Sequence, residues 1–303
     1  MLPEKVKQRL RPLMRRGIAV GNPRTNGAGE NGDARTGVLP HLTRLARELA
    51  TTRGARSLIS EAKGLGTHIL HYPLGVTRGR VRPTYSNGNG QPVDRIHDTP
   101  VALVHGYFHN RSGFDYLSRE LRLRGFRWIH GMNYNPLGHS IPDLAERFGH
   151  YVEDLRRVSG ASRVHLVGHS LGGVIARWYV EEFEGYKVVD TCVTIGTPHR
   201  GTLAAYLGPG AAARDLRPGS GVMQRLDQSL RRSRVKYVNL YSDLDFLILP
   251  PSSALLPEQR NVHNHLIEDL GHTSMLLSEE LVEQLCQHLE KIEQVSKLPK
   301  LIA

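Results

Sequence analysis

The chain has 303 residues, which is long enough for one large α/β domain with an extension or for two small domains. Hydrophobic residues make up 39% of it, and no apolar run approaches the roughly 18 residues that a membrane-spanning helix needs, so the composition excludes a helical membrane protein. The formal net charge is +11, and residues 1–100 hold 17 Lys and Arg against 7 Asp and Glu, so almost all of the excess charge is N-terminal.

The basic N-terminal third has three interpretations. A basic segment can contact nucleic acid, contact an anionic membrane surface, or simply keep one face solvated. We expect no nucleic-acid partner and retain peripheral membrane contact as an interpretation. The first residues lack the apolar core and cleavage site of a secretory signal peptide, and two cysteines, Cys192 and Cys286, fit a reducing compartment. These features predict a cytoplasmic location, and the oligomeric state is not predicted.

Two N-terminal segments precede the repeating strand–helix pattern. Residues 1–38 predict a basic arm that ends in a flexible Gly- and Asn-rich linker. Residues 39–98 predict a helical and extended segment that packs on the following domain, with a hairpin or loop from about Tyr72 onward. One or two helices are expected before Tyr72, interrupted by three glycines: Gly54, Gly64 and Gly66.

Residues 99–303 alternate between strands and helices. The first strand is apolar without alternation, which is typical of a strand buried on both faces of a parallel sheet. We therefore predict an α/β fold with a doubly wound, mostly parallel sheet and helices on both faces. Residues 197–234 form the longest irregular stretch, which we interpret as a lid or cap. Strands are predicted at 99–107, 127–133, 163–168, 188–196, 235–242 and 261–267, and helices at 113–124, 142–158, 170–183 and 276–293.

The third strand enters a G-x-S-x-G turn, Gly168-His169-Ser170-Leu171-Gly172, and a helix leaves it. A serine on such a sharp strand-to-helix corner is exposed at the top of a sheet, and the first N–H groups of the helix point toward its oxygen. The pentapeptide alone also fits an ordinary turn, but the apolar strand before it and the apolar helix after it favour a nucleophile. Ser170 is our candidate nucleophile.

A serine nucleophile needs a base and an acid that orients the base, and both are expected downstream after strand ends. Two aspartates follow the fifth strand, and we favour Asp245 over Asp243 because an apolar segment after Asp245 would bury it. Among sixteen histidines, His272 lies between the last strand and the last helix. We favour His272 as the base, with His263 and His265 as alternatives.

Acyl transfer also needs two backbone N–H donors for the developing oxyanion. Leu171 follows the nucleophile and is assigned by position. The second donor is expected in the loop after the first strand, from Tyr107 or, next in order, Phe108. The sequence contains no pattern that calls for a metal ion or another cofactor.

The chain resembles the α/β-hydrolase superfamily, and more narrowly actinobacterial triacylglycerol lipases and esterases with a GHSLGG elbow, from about Arg53 to Leu289. The resemblance implies the α/β-hydrolase fold and a serine carboxylic-ester hydrolase that acts on a lipid or ester substrate. It matches Ser170, Asp245 and His272 to the triad and Tyr107 and Leu171 to the oxyanion donors. The motifs that carry it are VALVHGY, LVGHSLGG, IGTPHRGT, DLRPGSGVMQRL, YSDLDFLILP and LIEDLGH.

Two other functions remain open at this stage. The same acyl-enzyme could pass its acyl group to an alcohol or glycan instead of water, which would make the protein an acyltransferase. A non-catalytic module that keeps the fold could instead use the basic arm to bind membranes or nucleic acid. The complete set of triad candidates argues against the loss of catalysis.

Overall fold

The computed structural model describes residues 50–76, 97–230 and 235–297, together with Thr43 and Arg47. The basic arm and linker predicted at 1–38 lie outside the described residues, as does nearly all of the hairpin predicted after Tyr72. No helix within the described ranges is both long enough and apolar enough to cross a membrane.

A six-stranded sheet forms the centre of the fold. Its strands are β1 Val101–Val104, β2 Ile129–Met132, β3 Val164–His169, β4 Val189–Ile195, β5 Lys236–Tyr241 and β6 Val262–Leu266. Their order across the sheet is β2-β1-β3-β4-β5-β6. Each neighbouring pair of these strands is parallel. The order reverses between β1 and β3, as in a doubly wound sheet, so the predicted fold class is confirmed.

Helices cover both faces of the sheet because its strands are apolar on both sides. One face packs against α3, Ile141–Ser159, and α4, Leu171–Glu182, and the other packs against α2, Asp115–Leu123, and α7, Glu279–Lys297. Helix α3 shows how the sequence defines an element, since Ser140 and Asp143 form a capping box at its start and Gly160 ends it in a left-handed conformation. The other described α-helices are α1 Thr52–Val76, α5 Gly210–Asp215 and α6 Gly221–Ser229.

Helix α1 corrects two predictions, because it runs unbroken through its glycines and continues past Tyr72 to Val76. Gly64 lies against the backbone of Ser274, where an added Cβ would sit 3.1 Å away. Tertiary contact therefore outweighs the low helix propensity of glycine. At the other end, Asn110 and Asn133 donate side-chain hydrogen bonds to the carbonyls of Tyr72 and Gly75, at 2.8 and 2.5 Å. These bonds satisfy carbonyls that a helix end leaves without partners.

The stretch predicted as irregular, residues 197–234, is more regular than expected. It contains a 3₁₀-helix, Leu203–Tyr206, as well as α5 and α6. Met223 and Leu226 of α6 are buried in the core beside α4. Buried apolar side chains hold much of the stretch on the body of the protein, so the prediction of irregular structure is wrong here. Its role as a lid stays a prediction.

A buried ion pair anchors α4, the helix after the candidate nucleophile. The side chains of Arg177 and Glu181 are 2% and 1% exposed, and Arg177 Nε donates to Glu181 Oε1 at 3.2 Å. The guanidinium also donates to the carbonyl of Leu226 at 3.0 Å and to His199 Nδ1 at 3.2 Å. One side chain therefore joins α4 to α6 and to the loop after β4.

Replacing Arg177 by Met is expected to lower the free energy of unfolding by about 3–5 kcal/mol, because Glu181 keeps its buried charge without its partner. Urea unfolding at neutral pH measures the loss. The matched control is Arg157→Met, since Arg157 pairs with Asp154 at the surface, where the two side chains are 74% and 67% exposed. That change is expected to cost less than about 1 kcal/mol. Equal losses of unfolding free energy in the two variants would contradict the role of Arg177 as the partner of the buried Glu181.

Candidate active site

Ser170 sits on a strained corner between β3 and α4. Its φ and ψ angles are 54° and −122°, a conformation that side-chain-bearing residues rarely adopt. All six residues of β3 are buried, and the Ser170 N–H donates to the carbonyl of Ile195 at 2.8 Å. The neighbouring strand therefore holds the corner in place. This is the backbone expected of a nucleophile elbow.

The loop after β1 lies directly beside this corner. A Cβ added at Gly106 would be 3.1 Å from Ser170 Cβ, and a Cβ added at Gly172 would be 2.0 Å from the carbonyl oxygen of Val104. Glycine at these two positions lets the loop and the first turn of α4 approach each other. Tyr107 follows Gly106, and Leu171 opens α4, where a backbone N–H has no acceptor within the helix. The structure thus brings the backbone segments of both predicted oxyanion donors to Ser170.

The side chain of Tyr107 links this loop to the stretch interpreted as a lid. Its hydroxyl donates a hydrogen bond to the carbonyl of Pro209, the residue before α5. Its ring also meets Phe108 edge-on, with the ring centroids 4.7 Å apart. Phe108, the alternative donor residue, has an exposed side chain. Tyr107 therefore fixes the relative position of the β1 loop and the start of α5.

Asp245 and His272 form a buried hydrogen-bonded pair, with 2.7 Å between His272 Nδ1 and Asp245 Oδ2. The other carboxylate oxygen of Asp245 accepts the backbone N–H groups of Leu247 and Ile248, at 2.9 and 3.2 Å. Asp243 points elsewhere and pairs with Arg53 of α1 at 2.8 Å, with about a third of its side chain exposed. Of the two candidate aspartates, Asp245 is the one that contacts His272.

The two alternative histidines lie away from this pair. His263 and His265 belong to β6, the outermost strand of the described sheet on that side. His265 Nε2 is 2.8 Å from His288 Nε2 of α7. The structure therefore does not bring His263 and His265 to Asp245, whereas it places the loop of His272 at the carboxyl end of the sheet beside the elbow.

The charge of His272 is governed by carboxylates that oppose its burial. Burial by itself favours the neutral imidazole, but the charge of Asp245, its hydrogen bond and the charge of Glu61 together raise the pKa of His272 above its ordinary value. Because Nδ1–H is donated to Asp245, Nε2 is the ring nitrogen that is left to accept a proton from outside the pair.

A row of further histidines packs beside His272. The ring of His169 lies 4.7 Å from that of His272, and its Nε2–H donates to the His272 carbonyl at 3.1 Å. His109 stacks next to His169 at 5.6 Å, and His68 of α1 stacks on His109 at 4.7 Å. Burial lowers the pKa of His109 to about 3 and that of His169 well below its usual range. Burial also lowers the pKa of His68, so burial favours the neutral imidazole at all three positions. No group of three or more His, Cys, Asp or Glu in the described ranges is arranged to hold a metal ion.

Glu61 of α1 supports the loop of His272 and was not predicted from the sequence. Its carboxylate accepts the backbone N–H groups of Thr273, at 2.8 Å, and Ser274, at 3.0 Å. These contacts join residues more than 200 positions apart, so no local sequence pattern predicts them. One signal was available, since Glu61 is the only acidic residue between Thr52 and Val76.

Comparisons with known proteins agree with this architecture. Residues 99–219 match the model of the α/β hydrolase fold family. A triacylglycerol lipase of Vibrio cholerae is 30% identical over 156 residues, which cover 47% of this chain and 45% of that protein. A triacylglycerol lipase of Pseudarthrobacter phenanthrenivorans is 40% identical over 110 residues, or 34% of each protein. The chain therefore matches less than half the length of these curated relatives.

Solved structures show the same fold at lower identity. Bacillus licheniformis lipase BlEst2 in mature form aligns with a TM-score of 0.55 at 18% identity, over 66% of this chain and 96% of that one. MenH from S. aureus aligns with a TM-score of 0.51 at 13% identity, over 67% and 97% of the two chains. The chain has the α/β-hydrolase fold, as its motifs predicted.

The two carboxylates near His272 are expected to have unequal effects on its pKa. Asp245→Asn should lower the pKa of His272 more than Glu61→Gln does, because Asp245 acts through both charge and a hydrogen bond, whereas Glu61 acts through charge. Titration of the ring resonances by ¹H–¹³C NMR measures both shifts. Glu146→Gln, an exposed change on α3, is the control and should leave the pKa as it is. A rise of the pKa in Glu61→Gln would contradict the assigned role of its charge.

Proposed function

We propose that this protein is a serine carboxylic-ester hydrolase that cleaves lipid-like esters through an acyl-serine intermediate. The observation that carries the proposal is the buried Asp245–His272 pair, which lies at the same edge of the sheet as the strained corner at Ser170. The triacylglycerol lipases that share 30–40% identity with parts of the chain support the class of reaction.

In the proposed reaction, Ser170 Oγ attacks the ester carbonyl while His272 Nε2 takes the hydroxyl proton. Asp245 keeps the imidazole in the required tautomer and stabilises the imidazolium that forms. Its second oxygen is already occupied by two backbone N–H groups, which hold the carboxylate in one orientation. His272 then passes its proton to the leaving alcohol, so the ester C–O bond breaks and Ser170 retains the acyl group.

We assign the stabilisation of the negatively charged oxygen of the tetrahedral intermediate to the backbone N–H groups of Tyr107 and Leu171. Leu171 lies at the N-terminus of α4, where the helix dipole favours an anion. Tyr107 lies in the loop that Gly106 brings against Ser170. Water, deprotonated by His272, then attacks the acyl-serine and releases the free acid. If an alcohol or glycan attacks the acyl-serine in place of water, the reaction is an acyl transfer. Identifying the product as a free acid or a new ester separates the two reactions.

Ser170→Ala is expected to lower kcat/KM for a p-nitrophenyl ester by about 10⁴-fold or more, since it removes the atom that forms the covalent bond. A fluorophosphonate probe should label the wild-type protein and fail to label this variant. The matched control is Ser118→Ala, since Ser118 is a partly buried serine on α2. This variant should hydrolyse the ester and react with the probe as wild type does. Equal turnover by wild type and Ser170→Ala would rule out the proposed mechanism.

The pH dependence follows from the raised pKa of His272. The base acts in its neutral form, so kcat/KM falls as the pH drops through that pKa. The acid limb of the profile is therefore expected above the ordinary histidine value of about 6.5. Glu61→Gln weakens the stabilisation of the imidazolium and should move this limb to lower pH. A limb that stays in place in Glu61→Gln, or moves to higher pH, would contradict this account.

A further inference from the structure

Helix α1 presents an unusual face to the protein. Surface helices normally bury an apolar stripe that recurs every three or four residues. In α1 the residues that face the protein at this spacing are small or polar, and five of the seven are buried while Glu61 and His71 are half-buried. They are Gly54, Ser57, Glu61, Gly64, His68, His71 and Gly75.

The opposite side of α1 is apolar and exposed. Eight large hydrophobic side chains on it have between 45% and 75% of their surface exposed. Together they make up about half of the large exposed hydrophobic residues in the described part of the chain, so the apolar surface is concentrated on one helix. We call this the outer face of α1, and it consists of Leu58, Ile59, Leu65, Ile69, Leu70, Tyr72, Leu74 and Val76.

The outer face lies above the two loops of the candidate active site. From its inner side, α1 holds the His272 loop through Glu61. It also holds the loop after β1, where Asn110 Nδ2 donates to the carbonyl of Tyr72 at 2.8 Å. In the described part of the chain the helix is therefore an outer layer at the carboxyl edge of the sheet, next to the loops that carry Tyr107 and His272.

The exposed charged side chains that α1 itself carries along its outer face are cationic. Arg56 and Lys63 are exposed and, being seven residues apart, follow the same flank of the helix. The helix carries a single acidic residue, Glu61, and that side chain is turned inward. An apolar face with a cationic flank is complementary to anionic phospholipid, whose headgroups attract the cations while the acyl region takes up the apolar side chains.

We propose that the outer face of α1 docks the protein on an anionic phospholipid surface. The docked helix brings the loops of Tyr107 and His272 to that surface, which deepens the proposed function by naming where the lipid-like ester is met. The docking itself does not require catalysis, because none of the outer-face residues belongs to the triad or to the oxyanion loop.

Vesicle flotation of the full chain tests the proposal. Wild type should float with vesicles of phosphatidylcholine and phosphatidylglycerol and should bind more weakly to phosphatidylcholine alone. The double variant Ile69→Gln/Leu70→Gln should bind the mixed vesicles with an affinity at least about tenfold lower, because two apolar side chains no longer enter the lipid. Arg56→Gln/Lys63→Gln should lose affinity for the mixed vesicles and little for phosphatidylcholine alone, and added salt should have the same effect.

The matched control is Leu123→Gln/Val158→Gln, which changes two exposed apolar side chains on α2 and α3 and should bind as wild type does. Circular dichroism checks that each variant keeps the helical content of wild type. Unchanged vesicle binding by Ile69→Gln/Leu70→Gln would overturn the proposal. A wild-type dimer that this variant abolishes in size-exclusion chromatography would identify a second copy as the occupant and overturn it too.

Failure of the proposed function can be distinguished from failure of the docking. Ser170→Ala should bind vesicles as wild type does. If wild type hydrolyses no ester but still floats with anionic vesicles through the outer face, the ester-hydrolase proposal fails and the docking stands. If wild type hydrolyses esters but does not bind vesicles of either composition, the docking proposal is wrong and the ester-hydrolase proposal stands.

Discussion

The strained backbone at Ser170 is the constraint on which the candidate site depends. A residue in this part of φ/ψ space costs about 1–3 kcal/mol, so the surrounding structure has to hold it. It does so from both sides, because β3 is buried along its whole length and the first turn of α4 rests on the end of β1. The same packing sets the distance from Ser170 to the loop of Tyr107. A change that relaxed the corner would therefore displace the serine and both proposed oxyanion donors together.

The polar network beneath α4 extends this constraint to the other half of the site. His199 accepts from Arg177 and its Nε2–H donates to Asn239 Oδ1 of β5 at 3.0 Å. Because β5 leads into the loop of Asp245, the network connects the helix behind Ser170 with the strand before Asp245. The histidine of the IGTPHRGT motif thus has a physical role in the scaffold. Burial lowers its pKa well below the ordinary value, which keeps the imidazole neutral beside the guanidinium.

The sequence predicted the sheet well because buried parallel strands leave a continuous apolar pattern that each strand carries by itself. It also placed Ser170, Asp245 and His272 at strand ends, where a parallel sheet brings distant residues to one edge. The choice between Asp245 and Asp243 could not be derived so firmly, since both follow β5 by a few residues. That distinction comes from tertiary contacts, because Arg53 of α1 pairs with Asp243 and His272 hydrogen-bonds to Asp245.

Helix α1 was predicted least well, and the reason lies in how it is attached. Its inner face buries glycine, serine and histidine, so hydrogen bonds and close backbone contacts replace the apolar packing that a sequence pattern would reveal. Such an attachment also makes α1 and the site interdependent. Glu61 cannot move away from the backbone of Thr273 and Ser274 without removing a negative charge from the neighbourhood of His272. Anything that holds the outer face of α1 therefore acts on the same helix that tunes the protonation of the proposed base.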